Sequence, residues 1–162
     1  MSQEEAKAIS ANEAAQLASH SAPTGGRILV VDDNRASAES LVALLELTGN
    51  QTHIAYDGLQ AVGAAERFRP DVALLDVGLP KLNGLDVARR IREQPWGKDM
   101  VLVALTGWGQ DDDRHRSKAA GFDHHMVKPV DLAVLMKLLA ETRVNQHAAL
   151  RVRFLDGGKL DA

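Results

Sequence analysis

The chain has 162 residues, a formal net charge of −3, 45% hydrophobic and 25% charged residues, and no cysteine. That is ordinary globular usage, enough for one domain with tails, and it excludes disulfide scaffolds, zinc ribbons and thiol catalysis. The mild acidity argues against a general nucleic-acid binder. No run approaches the roughly 20 apolar residues of a membrane span, and the opening MSQEEAKAIS has no leader-like apolar stretch, so a cytoplasmic location is expected.

Residues 1–26 are rich in Ala, Ser, Glu and Gln and end in Pro23-Thr24-Gly25-Gly26, which reads as a flexible linker. Ile28-Leu29-Val30-Val31 is a short apolar strand, and Leu41, Leu44 and Leu45 then mark a helix stopped by Gly49. Thr52 to Ala55 reads as a more polar second strand. Leu59, Val62 and Ala65 line the next helix, which ends before Pro70. Val72 to Leu75 is the third strand; Leu85, Ala88 and Ile91 mark a helix that stops near Pro95. Val101 to Leu105 is the fourth strand, Asp111 to Ala120 a helix closed by Gly121, and His125 to Val127 a short fifth strand. Leu132, Leu135 and Leu139 line the last helix, and residues 143–162 are a thin C-terminal tail.

Strands 1, 3 and 4 are apolar throughout, as in a parallel sheet covered on both faces. Five alternating strand–helix units over 27–142 predict a doubly wound α/β fold of flavodoxin-like order 2-1-3-4-5, with the polar second strand at an edge. The strand ends then gather chemistry. Asp32 and Asp33 follow strand 1, Asp76 strand 3, Thr106 strand 4, and Lys128-Pro129 strand 5. In such a sheet these ends meet at the switch point between strands 1 and 3. Three close carboxylates repel unless neutralised, and hard oxygen donors beside a phosphate suit Mg²⁺. Lys128 suits a phosphate oxygen, Thr106 offers a hydroxyl, and a carboxylate can serve as a phosphoryl acceptor. Taken alone, Asp32-Asp33 also suits a helix N-terminus, and Asp76 a turn before Gly78 and Pro80.

The segments Val30-Val31-Asp32-Asp33-Asn34, Leu74-Leu75-Asp76-Val77-Gly78-Leu79-Pro80, Leu105-Thr106-Gly107 and Val127-Lys128-Pro129 resemble the signature of the receiver domain of two-component response regulators. The stretch around Trp108 and Gly121-Phe122-Asp123-His124-His125 resembles receivers of hybrid histidine kinases. The resemblance implies Asp76 as phosphoacceptor and Mg²⁺ held by Asp32, Asp33, Asp76 and the Gly78 carbonyl. It implies Thr106 as switch hydroxyl, Lys128 as phosphate counter-charge, and a cis Lys128–Pro129 bond. Trp108, His125 and Pro129 join Thr106 as switch and output positions.

Three residues before the lysine, where the family often carries Tyr or Phe, this chain has His125, a side chain that titrates near neutral pH. The expected partners are a histidine kinase or histidine phosphotransfer protein and a downstream protein. Output is expected through the surface of the fourth helix, fifth strand and fifth helix, with no DNA-binding output domain. Two other functions fit the site residues. An aspartyl-phosphate phosphatase or phosphotransferase would need a general acid two positions beyond Asp76, where Gly78 stands. A receiver-like docking module would work without phosphorylation. Asp111-Asp112-Asp113 reads as helix N-terminal charge, and His124 as a surface residue. His20 lacks the acidic or basic neighbours of a phosphorylatable histidine.

Overall fold

The computed structural model describes residues 25–107 and 111–142. Residues 1–24 of the linker expected over 1–26, with His20, and Trp108 and the expected tail over 143–162 lie outside the described residues. The chain divides into two compact units, Met1–Lys128 and Pro129–Ala162. The first holds β1 (Arg27–Val31), α1 (Arg35–Leu47), β2 (Gln51–Ala55), α2 (Gly58–Phe68), β3 (Val72–Asp76), α3 (Gly84–Glu93), β4 (Val101–Thr106), α4 (Asp111–Ala120) and β5 (His124–Val127). The second begins with α5 over residues 132–142, whose first turn is capped by Asp131, its carboxylate accepting from the Ala133 and Val134 amides.

The five strands are all parallel and run in the order β2-β1-β3-β4-β5, as the sequence predicts. β1, β3 and β4 are buried along almost their whole length, because helices cover both faces of a parallel sheet. β2, at an edge, alternates exposed and half-buried positions before Ala55. On one face Leu29, Val31, Leu75, Leu102 and Ala104 pack with Ala61, Ala64 and Ala65 of α2 and with Val87, Ala88 and Ile91 of α3. Right-handed crossovers put α1, with buried Ala38 and Leu45, on the other face.

Two helices differ from the sequence reading. α1 starts at Arg35, one turn earlier than the leucine spacing suggests, because the Asn34 side chain accepts from the Ser37 amide at 3.0 Å and caps the helix there. In α2 the buried stripe is alanine. Leu59 is 55% exposed, while Ala61 and Ala65 are fully buried, so the helix lies close to the sheet on its small residues.

Candidate phosphoacceptor site

Register sets the site. Val31 pairs with Leu75, so Asp32 and the strand-terminal Asp76 emerge at the same height on adjacent strands. Asp76 pairs with Leu105, and Thr106 with Val127, which bring the hydroxyl and Lys128 to the same end of the sheet. The Lys128 amide donates to the Thr106 carbonyl at 2.7 Å, extending the β4–β5 ladder to the lysine. A close helix contact fixes the backbone beneath Asp76. Gly84 opens α3 and donates to the Val77 carbonyl at 2.9 Å. A Cβ at Gly84 would strike the Asp76 carbonyl oxygen and fall 2.7 Å from Val77 Cα, so only glycine fits there.

Each of Asp32, Asp33 and Asp76 offers a carboxylate oxygen within 4.8 Å of the others. Asp32 is buried, Asp76 half-buried and Asp33 exposed. Lys128 Nζ donates to Asp32 Oδ2 and Asp76 Oδ2, both at 2.9 Å, and so bridges two of the three acids. Burial works against its charge, but the hydrogen bonds to Asp76 and Asp32 outweigh it and hold the ammonium above the ordinary lysine value. Asp76 Oδ1 accepts from the Gly78 amide at 2.9 Å, and Asp32 Oδ1 from the Asn34 amide at 3.0 Å. Because Asn34 caps α1, Asp32 and Asp33 are left to the cleft. One lysine offsets part of the charge of three hard oxygen donors, and the donor set fits a small divalent cation.

Thr106 is buried, and its Oγ1 lies 2.7 Å from His125 Nε2. Thr106 and His125, expected from the sequence as switch positions and 19 residues apart, therefore touch in the structure. His124 is exposed, as expected of a surface residue.

Sequence reasoning missed two charged residues near this framework. Arg92 of α3 donates to the carbonyls of Gly97, Met100 and Gly121 and pairs with Asp123 at 2.7 Å. Asp57, buried, caps α2 by accepting from the Gln60 amide at 2.8 Å and pairs with Lys81 at 3.4 Å. The Gln60 amide, more than Lys81, holds its carboxyl below the usual carboxylate value against the opposing effect of burial. The Asp57-Gly58 pair before an apolar helix was the available signal for Asp57. Arg92 leaves none, because its partners are mostly backbone.

The family model described as the response regulator receiver domain matches residues 28–140. The chain belongs to the receiver-domain family. Response regulator MprA of Mycobacterium bovis is 37% identical over 135 residues, covering 80% of this chain and 58% of that protein. Response regulator MprA of Mycobacterium avium is 39% identical over 110 residues, covering 68% and 47%. The chain thus spans about half the length of the curated relatives it matches. Among solved structures, the receiver domain of sensor histidine kinase PA1611 from Pseudomonas aeruginosa has a TM-score of 0.68 and 35% identity, covering 74% of this chain and 98% of that one. That structure has a magnesium ion coordinated in the active-site cleft. The receiver domain of a histidine kinase from Syntrophus aciditrophicus has a TM-score of 0.69 and 31% identity, covering 75% and 92%. This receiver is accordingly a two-component signalling domain, and no helix among its described residues is long and apolar enough to cross a membrane.

Proposed function

We propose that this receiver accepts a phosphoryl group on Asp76 from a phosphohistidine of a histidine kinase or histidine phosphotransfer protein. The single observation that supports the reading is the Lys128 ammonium bridging Asp32 and Asp76 beside Asp33 at the strand ends. An Asp76 carboxylate oxygen attacks phosphorus as the P–N bond to imidazole breaks. The electron pair leaves with the nitrogen, and an acyl phosphate remains. Lys128 balances the incoming charge, and the Thr106 hydroxyl donates to a phosphoryl oxygen once it turns from His125. Asp32, Asp33, Asp76 and the Gly78 carbonyl would hold Mg²⁺, which when bound neutralises charge on the transferred group. Hydrolysis returns the carboxylate and inorganic phosphate, so the chain acts on its own aspartate rather than turning over a free substrate. Trp108, His125, Pro129 and the surface of α4 and β5 serve output to a protein partner rather than to nucleic acid, and the site of action is cytoplasmic.

Incubation with acetyl phosphate and Mg²⁺ followed by intact-mass measurement tests this. The wild type gains one phosphoryl group, and Asp76→Asn and chelator-treated samples gain none. A gain that survives in Asp76→Asn, or no gain at all, would sink the reading.

A further inference from the structure

The loop between the phosphoacceptor and α3 is held in a shape its own residues do not favour. The Leu82 amide donates to the Pro80 carbonyl, two residues back, at 2.8 Å, and Lys81 between them has a φ of 67°. This is a γ-turn of the rare, strained hand, built on a residue whose Cβ disfavours it. Such strain persists only where the surroundings over-determine it, and here the turn before α2 supplies them. The Gly58 amide donates to the same Pro80 carbonyl at 3.3 Å. A Cβ at Gly58 would strike the Leu82 carbonyl, so the two turns lie backbone to backbone. Asp57 completes the grip. Its Oδ1 is fixed by the Gln60 amide at 2.8 Å, which leaves Oδ2 to Lys81 Nζ, 3.4 Å away. The Asp57 side chain is 9% exposed and that of Lys81 63%. An oriented, buried anchor thus holds a cation of the outer loop.

The base of the same loop is pinned separately, by the Gly84 amide on the Val77 carbonyl and by Leu79 in the core. Gly78 lies between the two anchors, exposed, with its amide on Asp76 Oδ1. We propose that Asp57 and Lys81 are positioning residues for the metal: their ion pair locks the strained turn and so fixes where the Gly78 carbonyl stands. The proposal rests on the reading that this carbonyl and the three acids hold Mg²⁺. That ion tolerates little error, because it demands near-ideal octahedral geometry. The Asp57-Gly58 turn therefore tunes the affinity of the site from outside its ligand set.

Charge and position predict opposite signs at Lys81. Taking an ammonium away from three carboxylates lets a cation bind more tightly on Coulombic grounds. Taking away the clamp frees the turn and weakens binding. At Asp57 the two effects agree in sign, so Lys81 is the deciding residue. An ion pair with an exposed partner adds little to stability, and the loss is therefore expected in the metal site and not in the fold.

The test is a calorimetric titration of the full chain with Mg²⁺ at neutral pH, paired with urea unfolding in chelator. Orienting groups outside a metal's ligand set typically move its affinity by about 10–100-fold. Acting through a backbone turn, Lys81→Met and Asp57→Asn are each expected to weaken Mg²⁺ binding by at least about threefold. Asp57→Asn keeps the helix cap. The double variant weakens binding no further than the worse single, since both break one clamp, and Lys81→Arg, which keeps the pair, stays close to wild type. Lys81→Met leaves the urea midpoint nearly unchanged, and in the metal-free protein it shifts the Gly78 and Leu82 amide resonances. Unchanged or tighter Mg²⁺ binding in Lys81→Met, additive losses in the double variant, or a loss matched by a fall in the urea midpoint overturns the proposal. A wild type that binds no Mg²⁺ refutes the metal reading as well. A wild type that binds it, with Lys81→Met indifferent, refutes the positioning role alone.

Discussion

Replacing Lys128 with methionine removes the charge but keeps an unbranched stem of similar length, and the structure sets the size of the effect. Three carboxylate oxygens lie within 4.8 Å of one another, and at an effective dielectric of about 20 each charged pair at that distance repels by at least about 3 kcal/mol. The ammonium, 2.9 Å from two of them, offsets most of that strain. Its side chain is 30% exposed, so the loss should lie at the lower end for a broken buried pair, about 3 kcal/mol. With a urea slope of about 2 kcal/mol/M, the unfolding midpoint in chelator at neutral pH falls by about 1.5 M. Millimolar Mg²⁺ narrows the gap between wild type and variant, because a second cation then shields the same oxygens. Alkali narrows it as well. A raised lysine pKa means the ammonium's stabilisation is complete below the ordinary value of 10.5 and is lost as pH climbs through the raised one. Equal midpoints for the two proteins in chelator at neutral pH would refute the account of Lys128 as the balancing charge.

Gly84→Ala should destabilise by about 2 kcal/mol or more, because the new methyl meets backbone of Asp76 and Val77 rather than a movable side chain; a urea midpoint equal to wild type would count against that close packing. Arg92→Ala takes the guanidinium from four carbonyls and from Asp123, at a cost of about 2–3 kcal/mol, read in the same assay. Asp57→Asn keeps the helix cap but not the charge. Since the native carboxyl is held below its ordinary 3.8, its contribution is present above that value and lost as pH falls through the lowered one. The wild type should therefore lose stability more steeply than the variant below about pH 4, and parallel acid limbs would contradict it.

The strand order and the site acids were legible because both depend on short-range pattern. Unbroken apolar runs mark strands buried on both faces; Asp32 and Asp76 sit directly after such runs and Lys128 after the short fifth strand, so a parallel sheet has to bring them together. The start of α1 was hidden by a local competition, since Asn34 belongs at once to the acidic motif and to the helix cap. The buried face of α2 was misjudged through size. Leucine dominates a hydrophobic count, yet alanine is what permits the close helix–sheet approach that leaves Leu59 in solvent. The Thr106–His125 contact depends on β4 and β5 lying side by side, and nothing within either strand announces it.

The register that aligns Asp32, Asp76, Thr106 and Lys128 also has a kinetic consequence. Lys128 meets Asp32 across 96 positions of chain, and every neighbouring strand pair is parallel and reached by a crossover. Pairings of that kind close late and slowly. The carboxylates are therefore brought together only near the native end of the folding path, and their mutual repulsion falls on the native side of the barrier. A divalent cation should accordingly slow unfolding and leave the refolding rate almost unchanged.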